Sequence, residues 1–195
     1  MTRAEKLQMI AENEQKVFEA GKKSEQEDFW DVFQNKGTAA NYRYAFCYSR
    51  FDDSTFNPKY DINCTDVESS AQYMFYQSAV TDTKVGIYAP STNAVYCFRD
   101  SALETIRLFS VHASTIFTNT FTGCSKLRNI TMGGTIGQDI SFSASSLLSA
   151  DSIQSIIDAL GTVTSTKTIT FHTSVVAKLT DEQVNQIVSK GWEIG

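Results

Sequence analysis

From about residue 74 to residue 132 the chain states one phrase three times. The copies are Phe75-x4-Val80-x2-Thr83-x-Val85, Phe98-x4-Leu103-x2-Ile106-x-Leu108 and Phe121-x5-Leu127-x2-Ile130-x-Met132. The first step is 23 residues and the second, from Leu103 to Leu127, is 24. A fixed period in the twenties marks strand-and-turn units that stack on one another, because a single unit has no partner for its apolar face. The last six residues of each copy are expected to form a short strand with its apolar residues inward. Successive strands then pair in parallel, and Phe75, Phe98 and Phe121 form a ladder of rings down the core.

Composition limits what such a chain does. It has 195 residues, a net charge of −5 and a pI near 5.0. A nucleic-acid footprint needs a basic face, and the longest basic run is Lys22-Lys23. No apolar stretch approaches the ~20 residues of a membrane span. The first residues lead into an amphipathic segment instead of the apolar centre of a signal peptide, so no classical export signal is visible. Cys47, Cys64, Cys97 and Cys124 are scattered without a C-x-x-C pair. That spacing suits buried free thiols better than a metal knuckle or a disulfide framework. Asp52, Asp53 and Asp61 lack the ligand spacing and the glycine of a calcium loop.

The front of the chain reads as helix. Thr2-Arg3-Ala4-Glu5 is a capping box opening a segment to residue 22, with Leu7, Ile10, Val17 and Phe18 on one side. Two readings stand: a helix packed on the body, or a short coiled coil joining identical subunits, as a homo-trimer. Ser24-Glu25-Gln26-Glu27 opens a second, aromatic-rich helix ended by Gly37, expected to cap the repeat. In residues 38–62, Tyr42, Tyr44, Phe46 and Tyr48 alternate with Arg43, Ala45 and Cys47, which is strand periodicity. These aromatics are read first as packing. Tyr42, Tyr44, Tyr48 and Phe56 are the candidates for a binding surface, since tyrosine-rich segments are common in recognition.

Gly133-Gly134 breaks the repeat. A strand around 136–142, a helix at 150–160 after Ser149, a strand at 166–172, a helix from 181 to 190 and a strand at 192–194 are expected to continue the sheet and close it. The fold expected is therefore α+β: a short leucine-rich-repeat-like β solenoid with N-terminal helices and a β-α-β-α-β C-terminal cap. Its segments are 1–23, an amphipathic helix; 24–69, an aromatic-rich cap; 70–135, the repeats; and 136–195, the closing units. His112 has no acid or nucleophile beside it in sequence, and Gly133-Gly134-Thr135-Ile136-Gly137 lacks the lysine of a phosphate loop. The sequence thus assigns no catalytic, cofactor-binding or metal residue, and no enzyme activity is expected.

Phe121-Thr122-Gly123-Cys124-Ser125-Lys126-Leu127-Arg128-Asn129-Ile130 resembles the BspA-type leucine-rich repeat. Leu179-Thr180-Asp181-Glu182 with Lys190-Gly191-Trp192 resembles the closing segment of leucine-rich-repeat proteins encoded in phages and prophages of gut Firmicutes. Ile10-Ala11-Glu12-Asn13-Glu14-Gln15-Lys16-Val17-Phe18 is similar to the front of the same group. That resemblance implies a virion structural or adhesion protein whose partners are other virion proteins or a host-surface receptor. A bacterial cell-surface adhesion module is the alternative it leaves open.

Overall fold

The computed structural model describes residue 12 and residues 42–51, 55–64, 71–89 and 93–195. The helices expected over 2–22 and 24–36 lie outside the described residues, apart from Glu12, which is helical and exposed.

The core is organised by phenylalanine. Phe46, Phe75, Phe98, Phe121, Phe142 and Phe171 form one column, with successive ring centroids 4.9, 5.9, 5.4, 4.4 and 6.2 Å apart and planes within 28° of parallel. Beside it runs a column of small polar residues three positions further on. The N–H groups of Ser49, Ser78, Ser101, Cys124 and Ser145 each donate to the carbonyl of the preceding column phenylalanine. Their side chains bond along the column: Ser49 Oγ lies 3.0 Å from Ser78 Oγ, the Cys124 thiol donates to Phe98 O at 3.0 Å, and Ser145 Oγ donates to Cys124 O at 3.1 Å. Buried hydroxyls are thus satisfied at each turn of the chain, which burial requires.

Residues 42–48 do not form a strand. They and residues 95–100 and 71–77 are tight turns. In the first, Ala45, Cys47 and Ser49 donate to the carbonyls three residues back, while Tyr44, Phe46 and Tyr48 donate to Gln72, Met74 and Tyr76 of the next turn. Tyr73, Phe75 and Gln77 donate in the same way to Val95, Cys97 and Arg99, and Tyr96, Phe98 and Asp100 to Thr118, Thr120 and Thr122. Alternate residues therefore face alternate directions, and a period of two arises without extended backbone.

The strands fall opposite the turns. β1 (Ile62–Asn63), β2 (Gly86–Ala89), β3 (Thr105–Val111) and β4 (Asn129–Gly134) form a parallel sheet in that order. In the first repeat the strand begins later than Val80–Val85. Lys84 adopts φ 57°, Asp82 Oδ1 accepts from its N–H, and the fully buried Thr83 hydroxyl accepts from Arg107 N–H and donates to Val85 O. Thr83 occupies an apolar slot of the repeat because its hydroxyl supplies the ladder bonds that the bent backbone loses.

Beyond β4 the structure corrects the expected solenoid. The described residues from 42 to 195 form two separate parallel sheets, of four strands and of three, with three helices: an α+β arrangement and not one continuous repeat sheet. The cause is helix α1 (Ala150–Ala159), which takes the place where a fifth strand would pair. Ser152 Oγ accepts from Ile130 N–H at 2.8 Å, and Ser155 Oγ accepts from Met132 N–H at 2.9 Å. Two hydroxyls thereby close the edge of β4 to further strands. Ile153, Ile156 and Ile157 bury the other face of the helix.

β5 (Ile140–Phe142), β6 (Lys167–Phe171) and β7 (Trp192–Ile194) then make the second sheet. Between them lie α2 (Thr173–Val176), capped by His172, and α3 (Asp181–Ser189), opened by a capping box of Thr180 and Gln183. The tail elements form near their expected places, but in a sheet of their own. Both sheets share one hydrophobic core, from Tyr42 to Trp192. All four cysteines are buried, and none is joined in a disulfide. Burial pushes the Cys124 thiol up to about 12, against the lowering pull of its Ser101 contacts.

Candidate binding surface

The turns present a second ladder outside the phenylalanine column. Tyr44, Tyr73 and Tyr96 each stand two residues before a column phenylalanine, and each has a positive φ, 62°, 55° and 58°. Their rings stack at 4.7 and 4.8 Å with planes 13° and 19° apart. Left-handed backbone costs a residue with a side chain roughly 1–2 kcal/mol, and each stacked pair returns about 0.5–1.5 kcal/mol. The ring ladder and the turn-to-turn hydrogen bonds together hold the strained positions. Tyr76 packs edge-on against Tyr73 and Tyr96, and Tyr48 edge-on against Tyr76. The Arg43 guanidinium lies 5.2 Å from the Tyr44 ring centre and that of Arg99 5.0 Å from Tyr96, in cation–π range. Burial raises the Tyr73 phenol above its ordinary value, and the neighbouring hydroxyls of Tyr44 and Tyr96 add to the shift.

Of the candidate surface residues, the structure places Tyr42 and Tyr44 inside at 3% exposure and Phe56 at 0%, while Tyr48 is 43% exposed. Phe56 packs edge-on against both Phe46 and Phe75. Burial, and then the charge of Cys64, pushes the Tyr42 phenol up to about 12. Leu7, Ile10, Val17 and Phe18, the candidates for oligomerisation, lie outside the described residues. Sequence reasoning passed over Tyr73, Tyr76 and Tyr96. The signal was present as Tyr-x-Phe, which recurs at 44–46, 73–75 and 96–98.

Asn119 holds the next rung after Tyr96, again with positive φ, 55°. Here the ladder opens into a groove of about 420 Å³, lined on one side by Ile116, Phe117, Thr118 and Asn119 and on the other by Gln138, Asp139, Ile140, Ser141, Thr168 and Thr170. Ser141 and Thr170 are paired neighbours across β5 and β6. Ile116 is 47% exposed. Asp139 Oδ1 accepts from Thr168 N–H, and Lys167 Nζ donates to Gln138 Oε1. Two further depressions, of about 510 and 300 Å³, follow the seam between β4 and α1 and share Asp151.

Other reactive side chains serve the fold. His112 and His172 each accept at Nδ1 from the N–H of the serine two residues on. Asp82 is ion-paired with Arg107. Burial raises the Asp82 carboxyl, but the bonds from Arg107 and from Lys84 N–H outweigh it, and the net shift is downward. Among the described residues no cluster of three or more His, Cys, Asp or Glu is placed to hold a metal ion. No helix among them is long and apolar enough to cross a membrane.

No family model, curated protein or solved structure matches the chain.

Proposed function

We propose that this chain is a non-enzymatic binding protein of a phage particle, structural or adhesive, which attaches or oligomerises through residues 1–23. Its body presents the partly exposed rings of the tyrosine flank, Tyr73, Tyr76 and Tyr96 with Tyr48, and the adjoining groove to a partner on the particle or the host surface. The observation that carries the reading is the flank itself. An ordered row of amphipathic rings and hydrogen-bonding side chains is built on backbone that costs energy to hold. Tyrosine supplies large contact area at low cost in side-chain entropy. Support for the particle comes from the resemblance of both chain ends to phage-encoded proteins, and support for a non-catalytic role from the structural use of its histidines and buried thiols.

Adsorption tests this directly. The labelled full chain should bind intact cells of the host bacterium and compete with phage particles carrying it. Particles that adsorb equally well in a saturating excess of the chain, with no label on the cells, would contradict the proposal.

A further inference from the structure

The groove beside Asn119 exists because turn-on-turn bonding stops there. In the turns at 42–48, 71–77 and 94–100, the N–H groups of the second-row tyrosine, the column phenylalanine and the residue two further on reach the carbonyls of the next turn. At 117–123 the equivalent groups belong to Asn119, Phe121 and Gly123, and no backbone hydrogen bond carries any of them to β5. The step between column phenylalanines shortens from 23 to 21 residues, Phe121 to Phe142, and a strand replaces the turn. The phenylalanine rings still stack, at 4.4 Å, so the core closes while the surface parts. The result is a trough at the junction of the two units.

Its walls have a definite chemistry. Thr118, Ser141, Thr168 and Thr170 carry hydroxyls that both donate and accept, and Asn119 and Gln138 carry planar amides that do both at once. Among the described lining residues Asp139 is the one carboxylate, with one oxygen held by Thr168 N–H. Among the described residues no cation lines the trough, and the Lys167 ammonium is engaged by the wall residue Gln138, whose Oε1 accepts from it at 3.1 Å. That argues against a phosphate or sulfate ligand. Ile116, Phe117 and Ile140 form the apolar part of the lining, but Phe117 and Ile140 are buried in the core, which leaves Ile116 as the exposed apolar side chain, too little for a lipid or for the anchor residues of an amphipathic helix. Neutral groups that donate and accept, arranged around a small apolar spot in a trough of this size, suit a ligand with the same properties.

We propose that this groove binds a neutral saccharide: a short run of a hydroxyl-rich glycan lying along the trough, with its ring C–H face on Ile116. Asn119, Gln138, Asp139, Ser141 and Thr170 read its hydroxyls, and the edge of Tyr96 extends the site one rung further. The inference rests on the reading of the protein as a surface-binding component and names the class of ligand for it.

The test uses the full chain and a panel of neutral hexasaccharides (α- and β-glucan, β-mannan and chitin oligomers), monitored by amide shifts in NMR titration. The expected result is shifts confined to 116–119, 138–141 and 167–170 for at least one member. Ser141→Arg, which fills the trough from an exposed position, and Asn119→Gly, which keeps the left-handed backbone and removes the amide, should each weaken binding by about tenfold or more. Glu182→Gln, on α3, should leave it unchanged. Retained thermal unfolding of each variant shows that the fold survives. The proposal is overturned if no oligomer shifts any amide at about 10 mM, a limit near −3 kcal/mol of affinity. It is also overturned if the shifts lie elsewhere, if Ser141→Arg binds as well as the parent, or if the trough takes extended peptides and no saccharide. Cells that bind the labelled chain undiminished by free oligosaccharide sink this inference and leave the binding reading standing. Cells that bind no label sink the binding reading itself.

Discussion

At Gly134 the backbone has φ 72°, and a Cβ there would fall inside the Val111 carbonyl oxygen. Gly134→Ala should therefore destabilise the protein by about 2 kcal/mol or more, from conformation and clash together, read as a lower urea midpoint. A change under about 0.5 kcal/mol, the ordinary surface range, would contradict the placement. Gly134 was legible only as a break after Met132, since nothing in a lone sequence says which carbonyl a glycine must approach. Tyr44, Tyr73 and Tyr96 were legible differently. Their left-handed backbone is a conformation that tyrosine rarely adopts, so no residue preference points to it. Their spacing does. The fuller phrase, Tyr-x-Phe-x-x-Ser, stands at 44–49, 73–78 and 96–101, and Phe-x-x-Ser/Cys recurs at 121–124, 142–145 and 171–174. Reading it places Tyr44 as the first rung, where alternation alone suggests a strand.

Helix α1 decides how the elements divide. Ser152 is 3% exposed and takes three roles: it accepts from Ile130 N–H, donates to Arg128 O, and gives its own N–H to the cap residue Ser149. Ser152→Ala leaves a buried N–H of β4 without an acceptor, which should cost about 1–3 kcal/mol, and Ser155→Ala about 1 kcal/mol. Both are measurable by chemical denaturation. Ser152→Ala at parental stability would show that Ser152 does not hold the edge of β4. The isoleucine stripe of this helix was plain in the sequence, as were its cap and the capping box at Thr180. What the helix packs against was not. Serine at positions 152 and 155 reads as a neutral helix surface until β4 is known to lie beneath it. The division into two sheets therefore depended on a contact between distant segments, and the period alone suggested that the sheet would continue.

Across the whole molecule, the phenylalanine column runs from Phe46 beside the first sheet to Phe171 within the second, through the expected boundaries at 69/70 and 135/136. The two sheets should therefore unfold as one unit. Phe121→Ala and Phe142→Ala, on either side of the junction, should each cost about 3–5 kcal/mol and keep a single transition. Two resolved transitions in calorimetry, one per sheet, would contradict a shared core. The same junction closes the core and opens the groove, so stability and binding belong to different faces of one arrangement. If the tyrosine flank and this groove meet the partner, their backbone amides must register the contact. Amide hydrogen exchange on the full chain, alone and bound to the host cell envelope, is the decisive experiment. Protection is predicted at residues 95–100, 116–119, 138–141 and 167–170, with the helices α1 and α3 unchanged. Protection confined to the β4–α1 seam or to α3, with the flank exchanging as in the free chain, would contradict it.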